Sequence, residues 1–342
     1  MSNATANLSD VAKRAGVSKS TVSRVLNNKL GNGFSVKEEV RSRVIDAAKQ
    51  LNYRPNLIAQ SLTKSKTRMI SILGGSHALS ELGNIYQTVV NNATAVLDES
   101  GEGFDVTIDM SSHSKTDSEL PAWRVDGVIV LASCSETTMQ ELESSGIPYV
   151  VVNGPAGENG ASVVPDDVCG MVEAINHLAE FGHKKIAYAG PVGKVLQGHS
   201  SLQDRFSTYL SEMSRLGLEP IFGKGDVCAS ADKFLESVVI ARGATAAVAY
   251  GHMGGLNLMQ AAHAHGISVP ERLSLICFCD EYANRIMSPR LTFIDLRTRD
   301  MGRIAAELLL EKIKSPKQEL NRLVKLEEKL VLRESTAAPA ST

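Results

Sequence analysis

The sequence predicts a small all-helical head joined by a short hinge to a larger, two-lobed α/β core, and three observations carry that prediction. Residues 9–27, SDVAKRAGVSKSTVSRVLN, read as two short helices around a Gly-containing turn. From Met69 onward, strand-like and helix-like segments alternate, as parallel sheets covered by helices require. Charge divides along the same boundary: residues 1–68 hold 13 Lys and Arg against 4 Asp and Glu, and the remainder holds 23 against 34. The net charge of -2 over 342 residues conceals this asymmetry. A basic head points toward a polyanion such as nucleic acid.

In the head, Ser9 is expected to cap a first helix whose apolar face is Val11, Ala12 and Ala15. Gly16 supplies the turn, and Ser18 caps a second helix with Val22, Val25 and Leu26 inward. Lys19, Ser20, Ser23, Arg24 and Asn27 are left outward, and positions 20, 24 and 27 recur at helical spacing. Such a donor-rich stripe is what a helix lying in a DNA major groove presents. With Ser18 and Thr21 beside them, these residues form the candidate DNA-binding set of the second helix.

A Gly-rich loop, Lys29 to Phe34, leads to a third helix capped by Ser35 and running to about Leu51, with Val36, Val40, Val44, Ala47, Ala48 and Leu51 inward. Lys37, Arg41 and Arg43 lie at its start or outer face, where they can meet phosphates without reading sequence. Tyr53-Arg54-Pro55 then breaks the helix. The segment Asn56 to Leu62 is too short to be a stable helix alone and is expected to order when two copies pack together on DNA. Leu62 is either an apolar wedge for the minor groove or a linker leucine packed on the head.

The core is expected to hold strands at Met69–Leu73, Phe104–Asp109, Val125–Leu131 and Tyr149–Asn153, with helices at Asn84–Ser100 and Ser135–Ser145. Between Met110 and Arg124 the crossover looks truncated. A second half continues with helices near Val168–Phe181, Leu202–Leu216, Ala231–Arg242, Gly255–His265 and Arg299–Lys314. Its strands are Lys185–Ala189, Pro220–Gly223, Ala246–Ala249, Ser274–Phe278 and Thr292–Asp295. The chain is expected to recross near Asp280–Pro289, bringing the last helix back to the first lobe. The expected division is a head at 7–55, a hinge at 56–68, a core at 69–335 and a disordered tail at 336–342.

No stretch is apolar and long enough to span a membrane, and Met1 to Leu8 lacks the apolar run of a secretory signal, so a cytoplasmic protein is expected. The five cysteines, Cys134, Cys169, Cys228, Cys277 and Cys279, are odd in number and lack paired zinc spacing, which argues for reduced thiols. Cys277 and Cys279 fall two apart on a strand and so share a side, with His252 nearby in the expected fold. Neither ligand count nor spacing there meets a rule for a metal, and no metal or cofactor is expected. No nucleophile–base constellation or phosphate-cradling loop points to an enzyme.

LSDVAKRAGVSKSTVSRVLNN, FSVKEEVRSRVIDAAKQLNYRPNLIAQSL and MISIL, followed by WRVDGVIVL, HLAEFGHKKIAYAGP, HGISVPERLSLICF and SPRLTFIDLRTRDMGRIAAELLLEKI, together resemble the lactose-repressor (LacI/GalR) family of bacterial transcription regulators over nearly the whole chain. The resemblance implies a periplasmic-binding-protein-like core and a homodimer that binds a pseudo-palindromic operator in double-stranded DNA, usually as a repressor. It implies base reading by Lys19, Ser20 and Arg24 and a minor-groove leucine at Leu62, flanked on the hinge helix by Asn56, Ala59 and Gln60. It also implies a small-molecule effector of the sugar-derivative class between the lobes, with Asp166 and Arg205 as retained pocket residues. Tyr250 and Cys279 stand where the family carries polar sugar-binding residues, and the loop Asn28–Phe34 is longer than usual. Two readings of the core follow: an effector pocket with altered chemistry, or a filled pocket with control by a protein partner or by expression level. Since the head carries the positive charge, DNA affinity should fall steeply and log-linearly with added salt, and a flat response in a fluorescence-anisotropy titration would overturn the phosphate contacts.

Overall fold

The computed structural model describes residues 6–26, 36–53, 67–74, 85–109, 120–121, 124–192, 200–225, 230–279, 288–316 and 323–340. The chain divides into two units, Met1–Thr67 and Arg68–Thr342. Asn27, the Gly-rich loop, Ser35, the hinge residues Asn56, Ala59, Gln60 and Leu62, residues 110–119 and 122–123 of the truncated crossover and the expected recrossing loop at 280–287 lie outside the described residues.

The head consists of α1 (Leu8–Ala15), α2 (Lys19–Leu26) and α3 (Glu38–Gln50). Val11, Ala12, Ala15, Val22, Val25, Val44, Ala47 and Ala48 make its small core, and Leu8, Val17, Leu26, Val36, Leu51 and Tyr53 pack around it. The cap of α1 is Asn7, two residues before the expected Ser9. Its Oδ1 accepts from the backbone of Ser9 and Asp10, and Asp10 Oδ2 accepts from Asn7 N at 2.8 Å. This reciprocal box satisfies two orphan donors at once, which a lone serine hydroxyl does not. Gly16 closes the helix in the left-handed region (φ 67), where a Cβ is costly. Ser18 Oγ accepts from Thr21 N at 3.1 Å, as expected of the second cap.

In the larger unit, β1 (Met69–Leu73), α4 (Ile85–Glu99), β2 (Asp105–Asp109), β3 (Gly127–Leu131), α5 (Glu136–Ser145), β4 (Tyr149–Val152) and β5 (Ala161–Pro165) build the first lobe. The second holds α6 (Asp167–Glu180), β6 (Ile186–Ala189), α7 (Ser200–Arg215), β7 (Ile221–Phe222), α8 (Ala231–Phe234, continuing as a π-helical stretch to Ile240), β8 (Ala246–Ala249), α9 (His252–Ala264), β9 (Ser274–Cys279) and β10 (Thr292–Asp295). Then α10 (Thr298–Lys314) and β11 (Leu323–Leu326) return to the first lobe, and β12 (Lys329–Val331) joins the second. The sheet orders are β11-β5-β4-β3-β1-β2 and β12-β10-β9-β8-β6-β7, parallel except for β12 against β10. Both faces of each sheet are apolar, so strands such as GVIVL and YVVV are buried throughout their length.

Three strands escaped the sequence reading: β5, β11 and β12. Each is short, and β11 and β12 carry charges that mask a strand pattern. The recrossing also comes later than expected. β10 stays in the second sheet, and the chain crosses at Leu296–Arg297, after Asp166 and before Glu327–Glu328 make the other two crossings. These three crossings are tied together. Asp166 N donates to Leu326 O at 2.8 Å, Lys325 Nζ pairs with Asp166 Oδ1 at 3.3 Å, and Arg297 Nη1 reaches Glu327 O at 3.5 Å.

The expected disordered tail is also overturned for residues 336–340, which lie against the second sheet. Just before them, Ser335 Oγ donates to Leu275 O and accepts from Thr292 N. His183 Nε2 donates to Ala337 O at 2.8 Å, and His177 Nε2 shares a hydrogen bond with Thr336 at 3.0 Å. Small polar residues that look loop-forming in isolation here satisfy buried backbone and imidazole groups.

Helix α10 meets α4 where Gly302 lets the backbones touch: a Cβ there would stand 2.2 Å from Val89 O. Backbone cannot yield as a side chain can, so Gly302→Ala should destabilise the larger unit by roughly 3 kcal/mol, read as a lowered Tm in calorimetry.

Candidate functional site

On the head, Lys19, Ser20 and Arg24 are exposed along α2, while Thr21 and Ser23 are half-buried beside Val22 and Val25. Ser18 is exposed, but its hydroxyl is engaged by Thr21 N and by the hydroxyls of Ser20 (2.8 Å) and Thr21 (2.9 Å). Its first task is therefore to start the helix. Arg14 Nη2 and Nε donate to Gln50 Oε1 at 3.0 and 3.2 Å, fixing α1 against α3. The result is a rigid three-helix frame that offers one face of α2, with Lys37 and Arg43 exposed on the third helix segment. Such a frame fixes the backbone that carries Lys19 and Arg24, so the ordering cost on binding is confined to their side chains.

In the core, the arginine of QDRFSTY is the hub of a buried polar cluster beside the crossings between the lobes. Arg205, on α7, is 4% exposed. Its Nε donates to Asp167 Oδ1 at 2.5 Å and its Nη1 to Tyr250 O at 2.5 Å. Its guanidinium lies 4.1 Å from the ring centroid of Phe278 and 4.8 Å from that of Tyr250. Burial pulls its proton affinity down, but Asp167 and Glu328 outweigh that and hold the guanidinium firmly charged.

The acid that holds Arg205 is Asp167, the second of the VVPDD pair; Asp166, expected as a pocket residue, does not bond to Arg205. Asp166 occupies the N-cap of α6, where its Oδ1 accepts from Cys169 N and faces Lys325. A cap residue points along the helix end, while the next residue begins the helical face and turns inward to α7. Tyr250 comes to the site as expected, through both its ring and its carbonyl. Cys279 does not. It is fully buried in the layer with Ala247, Ala249 and Leu291, its Sγ 3.4 Å from Cys277 Sγ, and the intervening Phe278 is the β9 side chain that reaches Arg205. Strand parity separates the two.

Three further residues, Asn153, Tyr86 and Ser201, escaped the sequence reading. Asn153, in the left-handed region (φ 60) after β4, donates through Nδ2 to Tyr86 Oη at 2.9 Å and accepts from Ser201 Oγ at 3.2 Å. Tyr86 and Asn153 belong to the first lobe and Ser201 to the second, so this chain of bonds spans the site. Burial pushes the Tyr86 hydroxyl well above its ordinary range, keeping it neutral. No group of three or more His, Cys, Asp or Glu side chains among the described residues is arranged to hold a metal ion. No described helix is long and apolar enough to cross a membrane.

A family profile described as "Bacterial regulatory proteins, lacI family" matches residues 7–56, and one described as "Periplasmic binding protein-like domain" matches residues 175–336. The chain is 30% identical over 344 residues to the HTH-type transcriptional repressor PurR of Actinobacillus pleuropneumoniae serotype 5b, covering 96% of this chain and 98% of that one. The Lac repressor dimer bound to operator and the anti-inducer ONPF superposes with a TM-score of 0.80 at 25% identity, covering 98% of this chain and 100% of that one. A transcriptional regulator CelR–cellobiose complex gives a TM-score of 0.65 at 26% identity, covering 96% and 99%.

Arg205→Ala should cost the larger unit about 3–5 kcal/mol, because Asp167 and Glu328 are left buried without their cation. Burial already holds the Glu328 proton above the usual carboxylate range, and losing the opposing Arg205 charge raises it further, so the deficit should shrink as pH falls. Asp167→Ala should lower Tm more than Asp166→Ala, whose loss is that of a helix cap, about 1 kcal/mol. Calorimetry of the three variants across pH checks both orderings.

Proposed function

The chain belongs to the lacI family of bacterial regulatory proteins, and from that premise we propose that it is a homodimeric repressor that binds a pseudo-palindromic operator and answers to a small molecule held between its core lobes. Transcription regulation through DNA is the family's activity, and the chain is not an enzyme. One observation carries the operator reading: a capped, three-helix head presents Lys19, Ser20 and Arg24 together on the exposed face of α2. Arg24 suits a guanine, whose O6 and N7 accept a bidentate pair of N–H bonds. Ser18, Thr21, Ser23 and Asn27 are proposed as flanking contacts, and Asn56, Ala59, Gln60 and Leu62 as the hinge that enters the minor groove. Two-fold symmetry of the operator follows from two-fold symmetry of the dimer. A DNA-binding regulator of this kind works in the cytoplasm.

For the effector we propose an uncharged, hydroxyl-bearing molecule of the sugar class, a chemistry illustrated by the cellobiose of the CelR complex. The reason is charge balance. Arg205 is already neutralised by Asp167, with Glu328 behind it, so the site offers no spare positive charge to an anion. Tyr86, Asn153, Tyr250 and Ser201 supply hydroxyl and amide groups of the right kind for a polyol. The same sequestration of Arg205 favours a second reading, in which the pocket is self-filled and repression is constitutive.

The test is selection of operator sequences from a random duplex pool by the full chain. An inverted repeat should emerge, and Arg24→Ala should weaken binding to it by roughly 10- to 100-fold while leaving non-specific binding nearly unchanged. Asymmetric or absent enrichment would overturn the dimeric operator reading. Challenging the complex with a panel of neutral sugars separates the two readings of the core, since only an effector-responsive protein changes its operator affinity.

A further inference from the structure

Only two residues, Glu327 and Glu328, connect β11 of the first lobe to β12 of the second. Glu328 is fully buried, and neither of its carboxyl oxygens has a hydrogen-bond partner among the described residues. Its place is built into the fold: a Cβ on Gly170 would stand 2.0 Å from Glu328 Oε2, so the bare backbone of α6 makes the room. Arg205 Nη2 lies 3.9 Å from Glu328 Oε1, close enough to feel its charge and too far for a hydrogen bond. The charged groups that face this carboxyl are Arg205 from α7, Asp167 and Asp166 from the start of α6, and Asp295 from the end of β10. Lys325 pairs with Asp166, and the Cys169 thiol of α6 also feels Glu328, so Arg205 is left to face Asp167, Asp295 and Glu328. Burial first, then the neighbouring aspartates, hold its proton well above the usual carboxylate range, with Arg205 opposing them.

We propose that Glu328 is a proton-responsive positioning residue for Arg205: as a neutral carboxyl it leaves the guanidinium on Asp167 and the Tyr250 carbonyl, and as a carboxylate it draws Nη2 into a charge-assisted hydrogen bond. The movement needed is about 1 Å, since such bonds close at roughly 2.8 Å. The pull competes with the bonds that Arg205 now makes, so it re-aims the remaining guanidinium donors within the inter-lobe site. Because Glu328 belongs to a crossing between the lobes, the shift bears on their arrangement as well. The consequence for regulation rests on the operator and effector readings above, whereas the coupling of Glu328 to Arg205 does not.

The experiment follows Arg205 directly in the full chain labelled with 15N-arginine. Its buried Nε–H resonance, assigned by its loss in Arg205→Lys, is tracked from about pH 5 to pH 9, and the carbonyl band of a protonated carboxyl is followed by infrared difference spectroscopy. In the unaltered protein the resonance should move along one titration curve whose midpoint coincides with the loss of the carboxyl band. In Glu328→Gln, an isostere of the neutral acid, the resonance should stay fixed and the band should be missing. Operator affinity should change by up to ~10-fold per pH unit through that midpoint in the unaltered protein, beyond the change seen in Glu328→Gln, as one linked proton allows. A resonance that stays still while the carboxyl titrates, or that moves identically in both proteins, overturns the proposal. If Glu328→Gln does not fold, the two midpoints in the unaltered protein decide, and separate midpoints overturn it. Coincident midpoints without operator binding at any pH would uphold the coupling and sink the DNA reading instead.

Discussion

A guanidinium cannot leave water uncompensated, and the placement of Arg205 makes that constraint the organising fact of the core. At 4% exposure its charge requires a carboxylate in contact, which Asp167 supplies at 2.5 Å, and acceptors for its remaining edge, of which the Tyr250 carbonyl is one. Meeting those demands draws on four places in the chain. Helix α7 carries the arginine, the first residue of α6 its acid, the end of β8 its carbonyl, and β9 the aromatic face beneath it. The carboxyl of Glu328 comes from a fifth, the last crossing between the lobes. Each is at or near the carboxyl end of a strand or the helix that follows, where an open α/β sheet leaves its crevice.

The three crossings give that site its frame. All are short, one to two residues, and all are cross-linked: Asp166 to Leu326 and Lys325, Arg297 to Glu327. Asp166 was expected to meet an effector, yet its carboxyl both caps α6 and pairs across to β11. Its neighbour does the work on Arg205. Two adjacent acids thus take different roles because a cap side chain is aimed at backbone N–H groups and the first helical side chain at the next helix.

What the sequence revealed and what it hid both follow from the range of the interactions involved. The head was legible because its signals are local: Gly16 at the turn, Ser18 at a cap, and apolar residues at helical spacing. Two caps were misplaced: the third helix starts after Lys37 and not at Ser35, and Ser9 was taken for Asn7 because both residue types cap helices and only the reciprocal bond from Asp10 distinguishes them. The alternation of strands and helices was likewise visible in runs such as MISIL and GVIVL. Glu328 was not visible, since KLEEKL reads as a solvated charge run and only the absent side chain of Gly170 creates its niche. Cys279 shows the limit of periodicity. That it shares a side with Cys277 could be read from spacing, but which side faces Arg205 is set by helices distant in sequence. The tail residues around Thr336 and Ala337 were hidden for the same reason, their partners His177 and His183 being far back in the chain.

The distribution of bonds between the lobes also says how such a core can respond to a ligand. At the crossings the lobes are joined covalently three times and stapled by backbone and charged bonds. Across the site, Ser201 Oγ donates to Asn153 Oδ1, a neutral hydrogen bond of about 1 kcal/mol net. The three short, cross-linked crossings lie together and are the place about which the lobes can pivot. Exchanging that bond for bonds to a ligand that touches both lobes changes the energy difference between their arrangements by a few kcal/mol. That is the scale on which allosteric couplings operate. A ligand bound to one lobe alone would occupy the site and shift nothing, because only differential contact moves an equilibrium. A ligand that couples the lobes must then engage groups on both sides; Asn153 and Tyr86 stand on one and Arg205 and Tyr250 on the other.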